Sequence, residues 1–204
     1  MGFGLLFIGY SFLVTVPLSG LEIIDTLTNI VGFVIMIIAL HKLVNHGENF
    51  RRARLVLYYL AIWGVGIAGM EVATMLNWDF AESLIFGMRT VHFAALAALH
   101  FFLLMGMHRL AIDVDIAKIA RKTKRNMYLS VGFIALQAAL ELLRIIFVLR
   151  VPAFFIPLSM GMWPIILLLN SVQIFSCYMW ICYEGDEDME KKPKNVERSY
   201  EKER

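Results

Sequence analysis

Six apolar stretches, the first short and ending at Pro17 and the others long enough to span a bilayer, take up most of this chain and leave little length for a soluble domain. About 20 consecutive apolar residues cross a hydrocarbon core about 30 Å thick. Inside that core every backbone polar group must be paired within the protein, so each stretch is read as a helix and not as a strand. The stretches run from about Phe3 to Leu18, Ile23 to Leu43, Ala53 to Leu76, Ser83 to Leu110, Met127 to Val151 and Phe154 to Tyr183. The fourth is long enough to tilt or to project beyond the membrane. Pro157 and Pro164 fall in the first turns of the sixth and predict a kink or a broken start there. The expected fold is all-α: a polytopic membrane bundle of six transmembrane helices over residues 1–183, then a charged tail over 184–204.

Composition agrees. Hydrophobic residues are 59% of the chain and charged residues 18%, against about 45–50% and about 25% in a soluble domain. The charges are also segregated into short blocks. No stretch interleaves basic with aromatic residues as a nucleic-acid surface does, so nucleic acid is set aside as a partner. The N-terminal stretch lacks a basic leading segment, which favours a retained first helix over a cleaved signal. Leu6 stands where the myristoylation pattern needs Ser or Thr. Cys177 and Cys182 lie near the end of the last stretch and read as thiols filling apolar space.

Orientation follows from Lys and Arg, which are retained on the cytoplasmic side. The connection after the second stretch holds Lys42, Arg51, Arg52 and Arg54, and that after the fourth holds Arg109, Lys118, Arg121, Lys122, Lys124 and Arg125. On the other side, the 1–2 connection and the NWDFAES loop have no basic residue, and the 5–6 connection has only Arg150. Both ends are therefore expected in the cytoplasm. Trp78 near the outer boundary, and Trp180 with Tyr183 near the inner one, suit interfacial aromatic belts. The segment DVDIAKIARKTKR fits either a short basic amphipathic helix on the anionic inner leaflet or a plain cytoplasmic loop. The tail is mixed in sign and nearly free of aliphatic residues, so it is expected as a disordered or loosely helical extension.

A repeat shows at an offset of 70 residues, where Arg51, Arg52 and Arg54 match Arg121, Lys122 and Lys124, and Tyr58, Ala68 and Glu71 match Tyr128, Ala138 and Glu141. Several of these matches are what any two helices running in to out share, the paired glutamates being the exception; as a true repeat they would make helices 3–4 and 5–6 equivalent hairpins, an arrangement some transporters use. The run Gly64, Gly66, Ala68 and Gly69 allows a close helix contact.

Charges inside the membrane are the main functional signal, since each costs about 2.5–3.5 kcal/mol at mid-bilayer even on the lenient scale. The chain has Glu71 on helix 3, Arg89 with His92 and His100 on helix 4, and Glu141 with Arg144 on helix 5. Counted inward from the outer boundaries, Glu71 and Arg89 meet at similar depth, about 9 Å in. Asp25 could join them. Gln137, Glu141 and Arg144 share one stripe of helix 5, and Asn170, Gln173 and Cys177 one stripe of helix 6. The result is a polar seam toward the outer side, with Glu71, Arg89, His92, His100, Gln137, Glu141, Arg144 and Asn170 as candidate binding residues. In that seam Arg89 and Arg144 suit an anionic group, and Glu71 and Glu141 suit a cation or a proton. The plainer reading is that opposite charges at matching depth neutralise one another as interhelical glue, and Glu141 and Arg144 can pair within one helix.

No HExxH, GxSxG, P-loop or Cys-x-x-Cys pattern occurs. His92, His100 and His108 turn by about 80° from one to the next and do not present three ligands to one metal. No catalytic residue, metal or cofactor is assigned. After the six-helix body, the ending ICYEGDEDMEKKP resembles small multipass membrane proteins of Gram-positive, clostridial-type bacteria. The resemblance implies a bacterial plasma membrane and no particular activity. Three functions are ranked: a transporter-like or ligand-sensing bundle holding a small polar or charged solute, a non-catalytic subunit contacting a protein partner through the basic loops or the tail, and an intramembrane enzyme.

Overall fold

The computed structural model describes residues 2–14, 22–76, 78–147 and 155–181, and every regular element among them is helical. They are α1 (Gly2–Ser11), continued by a single 3-10 turn at Phe12–Val14, α2 (Glu22–Leu43), α3 (Glu48–Met75), α4 (Asp79–Asp113), α5 (Ala117–Phe147) and α6 (Phe155–Ile181). Each helix packs on its neighbours in the chain. Because α6 also packs on α1, the six close into an up-and-down ring, with α4 reaching across to α6. Gly2 lies against Leu43, and Gly4 against Tyr178, so the beginning of α1 and the end of α6 share the end of the bundle that carries the α2–α3 turn.

Among the described residues four helical segments are long and apolar enough to cross a membrane: Ile24–His46, Glu48–Met75, Gly87–Asp113 and Gly161–Ile181. α1 is short, and α5 is polar along its length, with Lys118, Arg121, Lys122, Lys124 and Arg125 before Gln137, Glu141 and Arg144. The perimeter is apolar. On α2, Ile24, Leu27, Val31, Val34 and Ile38 recur at helical spacing on the outside, while Phe33, Met36, Leu40 and Leu43 are buried. α6 repeats this with Ile165, Leu168, Val172, Phe175 and Met179 outside. So continuous an outer surface of large apolar side chains is what lipid accepts and water does not. Trp78 and Trp180 are both more than half exposed, at opposite ends of the bundle.

Three helices start earlier than the apolar runs suggest. α3 begins at Glu48, because Asn49, Phe50 and Ala53 are buried while Arg51 and Arg52 point outward and pair with Glu48 at 2.8 and 3.3 Å. α4 begins at Asp79, so most of the NWDFAES loop is its first turns, entered from an extended Trp78. α5 begins at Ala117: Ile119, Ala120, Thr123 and Asn126 are buried, and the basic residues between them are exposed. DVDIAKIARKTKR is thus neither a separate surface helix nor a loop. It is the α4–α5 turn, with Asp115 in the left-handed region at φ 56°, followed by the start of a long helix. α6 runs on through Pro164.

α1 crosses α2 closely at a pair of glycines. A Cβ on Gly9 would lie 2.9 Å from the Gly32 carbonyl oxygen, and one on Gly32 would lie 2.8 Å from that of Gly9. Only paired glycines allow this approach. The run on α3 is looser, since a Cβ on Gly64 or Gly66 would meet the side chains of Ile30 or Met88 at 3.1 Å and one on Gly69 would meet nothing within 4 Å.

The offset of 70 residues recurs in burial. Phe50, Ala53, Leu57, Leu60 and Gly64 on α3 correspond to Ala120, Thr123, Met127, Ser130 and Ile134 on α5, and all are buried. Leu96, His100, Leu104 and Met107 on α4 correspond to Ile166, Asn170, Ile174 and Cys177 on α6, also all buried.

Candidate functional site

The turn between α3 and α4 brings Glu71, one turn from the end of its helix, beside Arg89, on the third turn of the next. Arg89 Nη2 donates to Glu71 Oε1 at 3.3 Å, and Thr26 Oγ1 on α2 donates to the same oxygen at 3.1 Å. Glu71 is 6% exposed, and its other oxygen, Oε2, is buried with no hydrogen-bond partner among the described residues. Beside the pair, the Trp63 indole donates to the Met88 carbonyl at 3.0 Å and fixes α3 against α4.

These groups line a half-open cavity of about 290 Å³ between α2, α3, α4 and α6. Its polar wall is Asp25, Thr26, Asn29, Glu71, Arg89 and His92. Its apolar wall includes Phe33, Phe93 and Trp163, and Leu96 lies at the end toward the bundle centre. His92 Nδ1 is buried without a hydrogen-bond partner among the described residues, and its ring lies 6.2 Å from that of Phe33. Phe93 meets Trp163 edge to face at 6.5 Å. Glu71, Arg89 and His92 are thus brought together, with Asp25 alongside.

His100 and Asn170 belong to a second, deeper group. One turn beyond Leu96, His100 Nδ1 lies 2.8 Å from the Leu96 carbonyl oxygen. A carbonyl only accepts, so the proton is on Nδ1 and Nε2 accepts from the Tyr10 hydroxyl at 2.7 Å. The Tyr10 oxygen in turn accepts from Asn170 Nδ2 at 3.0 Å, and the same amide donates to Ser130 Oγ at 2.7 Å. Every link has one consistent direction. Tyr10, His100, Ser130 and Asn170 are all at most 1% exposed and come from four different helices. Tyr10 therefore ties together His100 and Asn170, which occupy equivalent positions of the repeat.

Below this group α5 and α6 are joined by further polar contacts. Gln173 Nε2 donates to Thr123 Oγ1 at 2.7 Å, Asn126 Nδ2 to the Leu169 carbonyl at 3.2 Å, and Asn170 Oδ1 and Ser171 Oγ are buried without hydrogen-bond partners among the described residues. Cys177 is buried on the same stripe. His108 Nδ1 lies 2.9 Å from the Ala120 carbonyl across the α4–α5 turn. Gln137 is half-buried on α5. Glu141 and Arg144 follow it on the same helix, but their side chains lie outside the described residues, as do Cys182 and the 184–204 tail.

Tyr10, Thr26, Ser130 and Thr123 carry contacts that the sequence does not single out. A lone hydroxyl on an apolar helix has no signature of its own. Only Thr123 and Ser130 share a signal, which is spacing: with Gln137 they recur every seven residues on α5. No group of three or more His, Cys, Asp or Glu among the described residues could hold a metal ion. No family description matches the chain, and comparison with curated proteins and with solved structures returns no match.

Proposed function

We propose that the chain is an integral plasma-membrane protein that crosses six times with both ends in the cytoplasm, and that the cavity near the α3–α4 turn receives a small polar or charged solute from outside, as in a transporter or a ligand sensor. The six-crossing reading takes α1 with the apolar residues that follow it as the first span and α5 from about Met127 as the fifth. In its favour, the chain's basic blocks gather at the bundle end that holds Gly2, the α2–α3 and α4–α5 turns and Ile181. The α3–α4 turn at the other end has none.

One observation carries the solute reading. Glu71 lines a half-open cavity, and one of its carboxylate oxygens is buried with no hydrogen-bond partner among the described residues; leaving such a group unpaired is costly unless water or a ligand reaches it. Charge glue alone would leave a dry, fully paired core. Cysteine accessibility separates the two. In a chain with Cys177 and Cys182 replaced by Ala, Asn29→Cys and Ile67→Cys should react with a hydrophilic thiol reagent added from outside, as Trp78→Cys does at the rim. Reaction at Trp78→Cys with none at the two cavity positions would defeat the solute reading and leave the pair as structural glue.

A further inference from the structure

We infer that the solute is a small organic ammonium ion carrying N–H groups on an aromatic or apolar body, with the Glu71 carboxylate as its counter-ion. The inference rests on the solute-binding reading above and narrows it to one chemical class. Among the described residues the cavity wall has two carboxylates, Asp25 and Glu71, and one guanidinium, Arg89, so there the acidic groups outnumber the permanent cation. Oε1 of Glu71 is already engaged by Arg89 and Thr26, and Oε2 is the oxygen left over. A carboxylate only accepts hydrogen bonds, so its missing partner must be a donor. An anion there would face that oxygen across a low-dielectric site and be repelled.

The other wall narrows the class further. Phe33, Phe93 and Trp163 line the same space, and a cation over an aromatic face gains about 0.5–2 kcal/mol, more as water is removed. Rings also give a solute's apolar body a place to be buried. With no cluster of three metal-ligating side chains among the described residues, a bare metal ion is a poorer match than an organic cation. The volume of about 290 Å³ lies at the small end of the about 300–1,000 Å³ range of small-molecule sites. His92, whose Nδ1 is buried with no partner among the described residues, lines the same cavity.

The test compares isosteric solutes of opposite charge on the full chain in nanodiscs. Phenethylammonium and phenylacetate are titrated while Trp fluorescence and thermal stability are followed. Phenethylammonium should bind about tenfold or more tighter than phenylacetate, the equivalent of about 1.4 kcal/mol. Glu71→Gln, which keeps the shape, should abolish that preference. Should this variant fail to fold, the comparison on the parent chain still decides. Equal binding of the two solutes, or tighter binding of phenylacetate, overturns the ammonium assignment and leaves a solute site standing. If neither solute binds and the cavity cysteines also fail to react, the solute reading itself is overturned. If neither binds but the cysteines react, only the ammonium assignment is overturned.

Discussion

Arg89 Nη2 lies 3.3 Å from Oε1 of Glu71, and the two partners differ in their surroundings: the arginine side chain is 38% exposed and the glutamate side chain 5%. The pair is therefore unequal. Removing the arginine leaves a carboxylate enclosed with Thr26 as its remaining donor, whereas removing the glutamate leaves a guanidinium that can turn toward solvent. Arg89→Leu should destabilise the protein by about 3–5 kcal/mol, the range for stranding one member of a buried pair. Glu71→Gln should cost less, about 1–2 kcal/mol, because its amide can still accept from Thr26. The double variant Glu71→Leu/Arg89→Met should recover much of the Arg89→Leu loss. Thermal unfolding in detergent checks the order, and an Arg89→Leu variant as stable as the parent would remove the pair from the account.

The deeper group makes a second, independent prediction. Tyr10→Phe removes the hydroxyl that donates to His100 Nε2 and accepts from Asn170, leaving both without that partner while hardly changing shape. The loss should be about 1–3 kcal/mol. Because Ser130 and Tyr10 share the Asn170 amide, Tyr10→Phe and Ser130→Ala should be non-additive by about 0.5 kcal/mol or more, while Tyr10→Phe and the distant Thr74→Ala should add. Additivity in both combinations would mean that the chain of hydrogen bonds does not act as a unit.

How much of this was legible differs by residue. Glu71 and Arg89 could be matched from sequence because a tight turn between antiparallel helices converts residue counts into depth, and both lie within a few turns of it. His100 and Asn170 read as polar points on separate helices, but what joins them is Tyr10. It reaches them only because α1 sits close on α2 and the ring closes back from α6 to α1, and neither fact is local to any segment. Of the outer seam expected from depth, Glu71, Arg89 and His92 fall in one group and His100 and Asn170 in another, with Leu96 between His92 and His100. The starts of α3 and α5 were misplaced for a simpler reason. Basic residues end an apolar run, but Phe50, Ala53, Ala120 and Thr123 keep one face of the helix buried while the basic side chains extend from the other.

The glycine crossing yields a contrast within one residue type. Gly9→Ala or Gly32→Ala places a methyl group within 3 Å of a backbone oxygen that cannot rotate away, so α1 must move off α2. Each should cost about 1–3 kcal/mol, as overpacking does. Gly69→Ala and Gly132→Ala meet nothing within 4 Å and remove a poor helix former, so each should be neutral or stabilising by up to about 1 kcal/mol. Displacing α1 also carries Tyr10 away from His100. Gly9→Ala should then reduce the further effect of Tyr10→Phe, a coupling that a purely local clash does not produce.

The last prediction concerns threading and can be made without any ligand. The α2–α3 turn at Gly47, where φ is 148°, and the α4–α5 turn at Asp115 lie at the same end of the bundle as Gly2 and Ile181, while Trp78 lies at the other. If the first end is cytoplasmic, an impermeant thiol reagent applied to intact cells should label Trp78→Cys and spare Asn45→Cys and Asp115→Cys, with Cys177 and Cys182 replaced by Ala throughout. Opening the cells should reverse the protection. The same experiment bears on α5, which is too polar to stand as an obvious span. Lys118, Arg121 and Lys122 are exposed beyond the turn, and Leu129 and Leu136 are exposed further along. A helix that emerges from lipid near residue 127 should let water-soluble reagent reach Lys122→Cys in opened cells but not Leu136→Cys, because lipid excludes the charged reagent there. Labelling of Leu136→Cys as fast as Lys122→Cys would show that α5 does not cross, and the count of six would fall.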